Sequence, residues 1–383
     1  MESSSLSIDT IGVSTARYRS KLFLEGNKIL TPIGPNLLLY CLDDNSKIHI
    51  KASLSAITVL LENEGFVICI SYSGEIIFFD KITFKKIKSF VMDEKIIRHA
   101  SATNDYLLVN AEDGEEKGLT QLWYIKDILN NETNKTLLNL RGRYRFGEIC
   151  KNNSIFILKK NIIEKIEKKK IYNFSAELYT SLINPDSQIK SLTIKGCRIL
   201  STALCNERKL ICINYSDRNL LIINSEKMEI FLNLKISGVG SFLSTCFGDD
   251  NHIYLSPKSN YLLKIKCDKN FEREAEIPIE EYENDCFSIK CVNTSALQKD
   301  NFYLSVNHKY NCIISSNSYG LNYYDTKTQK TKNFFIANIT FCGLAQNIEG
   351  SLFAVGDLAG SVQIFSLNQP IDQTPLYSTF VVC

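Results

Sequence analysis

Residues 57–91 read ITVLLENEGFVICISYSGEIIFFDKITFKKIKSFV, and this stretch decides the fold class. Ile57 to Leu61 is a β-branched run followed by the turn Glu62-Asn63-Glu64-Gly65. Phe66 to Ser71 predicts a second strand, Tyr72-Ser73-Gly74 a reversal, Glu75 to Asp80 a third strand and Lys86 to Val91 a fourth. Runs of five to eight β-branched and aromatic residues between turn formers are strands, and the apolar second and third runs fit burial on both faces. Gly74 supplies the positive φ that a tight hairpin turn uses.

Working outward, the same plan recurs. Reversals fall at Gly34 to Asn36 within 31–47, Ser216 to Asn219 within 212–227, and Pro257 to Asn260 within 252–269. Two more fall at Ser318 to Gly320 within 312–330 and at Asp357 to Gly360 within FAVGDLAGSVQIFSLN (353–368). Helical periodicity is nearly absent. With 383 residues and a spacing of roughly 45 per unit, an all-β propeller of four-stranded blades is the expected architecture. Candidate units are 20–51, 56–92, 97–140, 144–176, 190–235, 237–279, 301–336 and 338–383. The fourth is the weakest of these, so seven or eight blades are expected. Residues 1–19 are polar and Ser-rich and are expected as a flexible N-terminal segment. Residues 20–383 are expected as a single propeller, with 280–300 an inserted loop.

The repeats resemble the WD-repeat superfamily in degenerate form. Asp357 matches that family's structural Asp in a tight turn with Gly360, and Asp80 and Asp325 fall where the family has an Asp after an aromatic residue. The aromatic is Phe or Tyr where the family prefers Trp, the Gly-His pair is absent, and His49, His99, His252 and His308 do not share a repeat position. Residues 20–91, through GNKILTPIGPNLLLYCLDDNSKIHI (26–50) and SGEIIFFD (73–80), also resemble the opening of propellers in the small-subunit processome.

Composition narrows the function. The chain is 44% hydrophobic and 22% charged with a formal charge of +2, which gives no global pull toward nucleic acid or membrane. No run approaches the ~20 apolar residues of a membrane helix, and the start has no signal-peptide core. An intracellular protein of the nucleus, nucleolus or cytoplasm is expected. The thirteen cysteines contain no C-x-x-C pair, the closest being Cys286 and Cys291. Most lie in apolar runs such as Val67-Ile68-Cys69-Ile70, so buried free thiols are expected and no metal site is indicated. No nucleophile elbow, P-loop, zinc-protease helix or dinucleotide-binding pattern is present, so no catalytic residue, cofactor or small-molecule substrate is indicated.

Two local charge clusters remain. Residues 141–172 hold Arg141, Arg143, Arg145, Lys151, Lys159, Lys160, Lys165, Lys168, Lys169 and Lys170 against Glu148, Glu164 and Glu167. On one strand the alternating arginines of RGRYR would share a face, and Lys168, Lys169 and Lys170 would extend it into a surface for RNA phosphates. A solvated, lysine-protected strand edge is the plainer reading. Glu276, Glu280, Glu281, Glu283 and Asp285, preceded by Glu272 and Glu274, form an acidic stretch fit to dock a basic partner or simply to be solvated. Trp123 is expected to pack between blades. The function expected is a non-enzymatic scaffold for macromolecular assembly, bound to other proteins of a complex and, as a further candidate, to RNA. That includes a ribosome-biogenesis or other ribonucleoprotein subunit. The alternatives are a protein-only adaptor in trafficking, ubiquitin ligation or a nuclear pore, and a noncatalytic subunit of an RNA-modifying enzyme.

Overall fold

The structure is a computed structural model. It describes residues 22–24, 28–41, 43–44, 46–92, 96–112, 118–142, 144–150, 153–166, 169–179, 189–195, 199–205, 208–215, 219–237, 242–248, 252–257, 261–267, 271–278, 282–283, 287–293, 301–307, 310–317, 320–336, 341–346, 351–357, 361–367 and 377–380. The N-terminal segment 1–19 lies outside them.

The described residues form eight sheets in chain order, spanning 22–51, 57–91, 96–141, 144–195, 199–237, 242–293, 301–336 and 341–380. The second sheet follows the reading of its sequence closely: Ile57–Glu62, Phe66–Ser71, Glu75–Asp80 and Lys86–Val91 pair antiparallel in sequence order. The fourth unit is a full sheet, and its boundary differs from the expected one. Ile189–Lys195 closes the fourth sheet against Lys169–Tyr179 instead of opening the fifth.

The strands fall into two compact units, one within Val13–Gly196 and one within Cys197–Cys383. Within the first, alternate side chains of one strand serve two cores. Val67 and Cys69 pack with Leu30, Leu37 and Leu39 of the first sheet. Ile68 and Ile70 pack with Leu107, Val109 and Trp123 of the third. Both faces are therefore buried, which is why the run is continuously apolar. Tyr106, Leu108 and Leu122 then meet Tyr144, Ile155 and Ile157 of the fourth sheet. Within the second unit the fifth and sixth sheets share a core of Cys212, Ile222, Ile253 and Ile265. Tyr254 meets Ile313 and Tyr324, and Cys312 and Ile314 meet Phe353 and Phe365.

One hydrogen bond marks the repeat. The residue after the third strand donates its amide to the carbonyl just before the second strand: Lys81 to Gly65, Ser225 to Lys209, Thr326 to Asn311 and Leu367 to Ser351, at 2.7–3.1 Å. The turn after the third strand repeats as well. Asp80 Oδ1 accepts from the amides of Ile82 and Thr83, Asn224 Oδ1 from Glu226 and Lys227, and Asp325 Oδ1 from Lys327 and Thr328. Four residues beyond each Asx, the backbone turns left-handed, at Phe84, Met228 and Gln329. Short polar side chains that satisfy local amides are the reason Asp and Asn close these hairpins.

The sixth sheet departs from this order. Its third strand, Tyr261–Cys267, pairs with Phe287–Asn293. The stretch Phe271–Pro278, which lies within the expected unit 237–279, instead pairs parallel with Glu229–Ser237 of the fifth sheet. The region 280–300, expected as an inserted loop, thus supplies the strand 287–293, together with the short Tyr282–Glu283 beside it.

Candidate interaction surfaces

The basic segment does not lie on one strand. Arg141 ends the outer strand Thr136–Arg141 of the third sheet and is exposed. Gly142 follows at φ 143, in the left-handed half of backbone space, and its amide donates to the Gly118 carbonyl at 2.9 Å. Arg145 lies on Tyr144–Ile149, the first strand of the fourth sheet, and Arg143 lies outside the described residues. The alternation in RGRYR is therefore broken at its glycine, and Arg141 and Arg145 belong to different sheets. The same junction explains Gly118: a Cβ there would stand 2.3 Å from the Gly142 carbonyl oxygen.

The lysines fall on a different feature. In the fourth sheet Ile155–Ile166 and Lys169–Tyr179 form a hairpin longer than its neighbours. The first strand pairs with it only as far as Tyr144 opposite Lys159, and the fourth only as far as Lys195 opposite Asn173. Past those points, among the described residues, the two strands pair only with each other, out to Ile166 opposite Lys169. Lys169 and Lys170 sit in this overhang, and Lys168 lies outside the described residues. At its base the Lys159 ammonium stands 5.7 Å from the centre of the buried Tyr144 ring, a cation–π contact. Burial, followed by the charge of Glu177, pushes the Tyr144 hydroxyl up to about 12. Tyr179 donates to Glu177 Oε2 at 3.3 Å, and burial raises its pKa too. These phenols stay neutral and structural.

Of the acidic stretch, Glu276 lies on Phe271–Pro278 in register with Lys235, and Glu283 on the two-residue strand beside Phe287–Asn293. Glu280, Glu281 and Asp285 lie outside the described residues. Asp357 ends the strand Leu352–Asp357 in register with Phe341, and Gly360 lies outside the described residues.

Trp123 packs between the second and third sheets as expected, 1% exposed and edge-on to Phe90 at 5.7 Å. Its Nε1–H donates to the Thr133 carbonyl at 3.0 Å. Cys41, Cys69, Cys150, Cys205 and Cys312 are free thiols, and burial pushes the Cys312 thiol up to about 12 and raises Cys69 and Cys150. A thiol held in its protonated form is a poor nucleophile. Among the described residues no His, Cys, Asp or Glu cluster is arranged to hold a metal ion, and no helix is long and apolar enough to cross a membrane.

Of the eight large apolar side chains exposed among the described residues, two lie on neighbouring loops. Leu54 is 94% exposed and Tyr72 55% exposed. The Tyr72 amide donates to the Ala56 carbonyl at 2.7 Å and the Ser73 amide to Ser55 Oγ at 3.2 Å, which ties their two loops together. Only the pairing of the loop before one strand with the turn after the next reveals that patch. The turn is rigid because Ser71 Oγ accepts the Glu75 amide, and Glu75 Oε2 accepts the Ser53 hydroxyl.

No family model matches the sequence, and no curated protein matches it. Among solved structures, the chain is similar to the computationally designed Ika8 protein, with TM-score 0.56 and 10% identity over 84% of this chain and 86% of that one. It is also similar to a chain in the crystal structure of the Mitotic Checkpoint Complex, with TM-score 0.53 and 8% identity over 82% of this chain and 91% of that one. These neighbours are propellers, and the eight successive sheets described above make the fold of this chain a β-propeller.

Proposed function

We propose that this propeller is a non-enzymatic scaffold of the WD-repeat type that assembles other macromolecules. The observation that carries the reading is that Leu54 and Tyr72, two apolar side chains exposed to solvent, sit on loops hydrogen-bonded to each other. A preordered apolar pair costs little conformational entropy on binding and suits a protein partner. The buried, protonated thiols support a role without covalent chemistry. The likeness to a chain of the Mitotic Checkpoint Complex supports work within a complex.

Within that class a ribonucleoprotein subunit, including one of ribosome assembly, is the first reading, and the lysine-rich overhang of the fourth sheet favours it. A protein-only adaptor is the second. The test is affinity capture with the intact chain and with Leu54→Asp/Tyr72→Ala, identifying the bound proteins and RNA. Proteins recovered with the intact chain and lost with the double variant are the expected result. An identical set from both would overturn the patch as the docking site.

A further inference from the structure

We infer that the overhang of the fourth sheet, residues 161–166 paired with 169–173, is an arm that binds a nucleic-acid phosphodiester backbone. It rests on the scaffold reading only for what the arm serves. Its own affinity is a separate property of the purified chain.

The backbone supplies the first argument. The blade needs only the part of the hairpin flanked by its first and fourth strands, yet pairing continues through Asn161↔Asn173, Ile162↔Tyr172, Lys165↔Lys170 and Ile166↔Lys169. Six residues of strand at about 3.3 Å each make a ribbon roughly 20 Å long, the span of about six phosphates along one strand.

Charge placement supplies the second. Lys165, Lys169 and Lys170 lie on this ribbon, against Glu164, with Lys160 at its base. The register sets Lys165 directly opposite Lys170. Like charges at directly opposed positions destabilise a ribbon. Edge protection accounts for a lysine on each strand but not for an opposed pair. A polyanion laid along the ribbon turns that repulsion into attraction.

Residue type supplies the third. The described cations of the arm are lysines, compact point charges suited to contacts that ignore base sequence, whereas arginine would mark bidentate base reading. An evenly spaced polyanion fits a row of such charges better than the irregular carboxylates of an acidic peptide do.

The experiment uses the purified full chain and labelled mixed-sequence oligonucleotides of roughly 20 nucleotides, with single-stranded RNA and duplex DNA as separate arms, between about 50 and 200 mM salt. Two variants are compared with it. Lys165→Gln/Lys169→Gln/Lys170→Gln keeps the backbone. The other replaces residues 163–171 with Asn-Gly, a two-residue turn that joins the register partners Ile162 and Tyr172. Binding by the intact chain is expected, with the salt slope falling by roughly two to three units in the triple variant. The shortened hairpin should lose about tenfold or more in affinity at the lower salt while keeping its circular dichroism. The tighter of the two arms identifies the nucleic acid. No binding by the intact chain at low salt overturns the inference, as does an unchanged slope in the triple variant. Equal competition by polyglutamate at matched charge would also overturn it and point to an acidic protein. If the arm fails while capture still depends on Leu54 and Tyr72, the scaffold reading stands alone.

Discussion

The second and sixth sheets are built from similar strands, yet only the second can be read directly from its sequence. In 57–91 each strand pairs with the next one in the chain, and each reversal is closed by side chains within a few residues of it. Asn63 Oδ1 accepts the amides of Gly65 and Phe66, and Asp80 Oδ1 accepts that of Thr83 at 2.6 Å. In 242–293 two segments compete to follow Tyr261–Cys267. The nearer, FEREAEIP (271–278), is displaced to the edge of the fifth sheet, and the farther, FSIKCVN (287–293), takes the place. The physical difference is in the strands themselves. Phe287–Asn293 places Ile289 opposite Ile265 and Cys291 opposite Leu263. Phe271–Pro278 carries three glutamates and ends in a proline, which cannot donate to a ladder. Charged and proline-bearing strands belong at edges, where they block further pairing.

Two deletions test that contrast most severely. Removing 287–293 takes the paired outer strand from the sixth sheet, and the expected product is insoluble or unfolded. Removing 271–283 leaves that strand in place and a short loop before it. This second product should fold but uncover the edge of Glu229–Ser237, and so self-associate. Light scattering after gel filtration is the measurement. A monomeric 271–283 deletion would show that the parallel strand guards no edge.

On the locally coded side, Trp123→Ala should be the costliest point substitution. The side chain is fully buried between two sheets, and its loss leaves a cavity and an unpaired Thr133 carbonyl. Truncations of this kind cost about 3–5 kcal/mol, which urea denaturation would resolve. Gly147→Ala should cost less, about 1–3 kcal/mol, as overpacking does. Its Cβ would stand 2.9 Å from Asn110 Nδ2 and 3.0 Å from Leu108 Cδ2 on the neighbouring sheet.

These sites show where reading the sequence succeeds and where it stops. Strand runs and the Asx residues that end third strands are visible because their causes lie within one hairpin. The arginines of RGRYR mislead because alternation presumes a continuous strand, and nothing in the triplet announces that Gly142 takes a positive φ between two sheets. The contacts that tie sheets together are hidden as well. Asn214 Nδ2 donates to Ser201 Oγ at 2.8 Å and to Thr245 Oγ1, which joins the fifth sheet to the sixth. Those residues are 13 and 31 positions from Asn214, and no local spacing relates them.

The hairpin turns allow a finer test. Asn224→Ala removes the acceptor for two amides and should cost about 1 kcal/mol, the usual value of a side-chain cap on free amides. Asp80 adds a pH signature. The Thr83 amide, then the Thr83 hydroxyl, holds its carboxyl below the usual value. A carboxyl with a lowered folded pKa contributes stability above its unfolded pKa of about 4 and loses it as pH falls through the folded value. Asp80→Asn keeps an acceptor in the turn and should remove that part of the acid sensitivity. An unchanged acid limb in thermal melts would show that the turn contributes nothing to it.

The smallest expected effect runs in the opposite direction. Gln329 is exposed and held at φ 57 in the turn after Asp325, a region that disfavours every residue with a Cβ. Left-handed backbone costs a non-glycine residue about 1–2 kcal/mol, and glycine gives back about 0.5–1 kcal/mol of this in lost unfolded-state entropy. Gln329→Gly should therefore stabilise the fold by about 0.5–1 kcal/mol, because the exposed side chain contributes little to packing. Asn311, at φ 50 before the second strand of the same sheet, is the control. Asn tolerates the left-handed region, so Asn311→Gly should shift stability by less than about 0.5 kcal/mol. If both substitutions stabilise equally, strain at φ > 0 is a general tax on these hairpins. If neither does, the turn relaxes on substitution, and the left-handed residue four places after each Asx is a consequence of the hairpin rather than one of its causes.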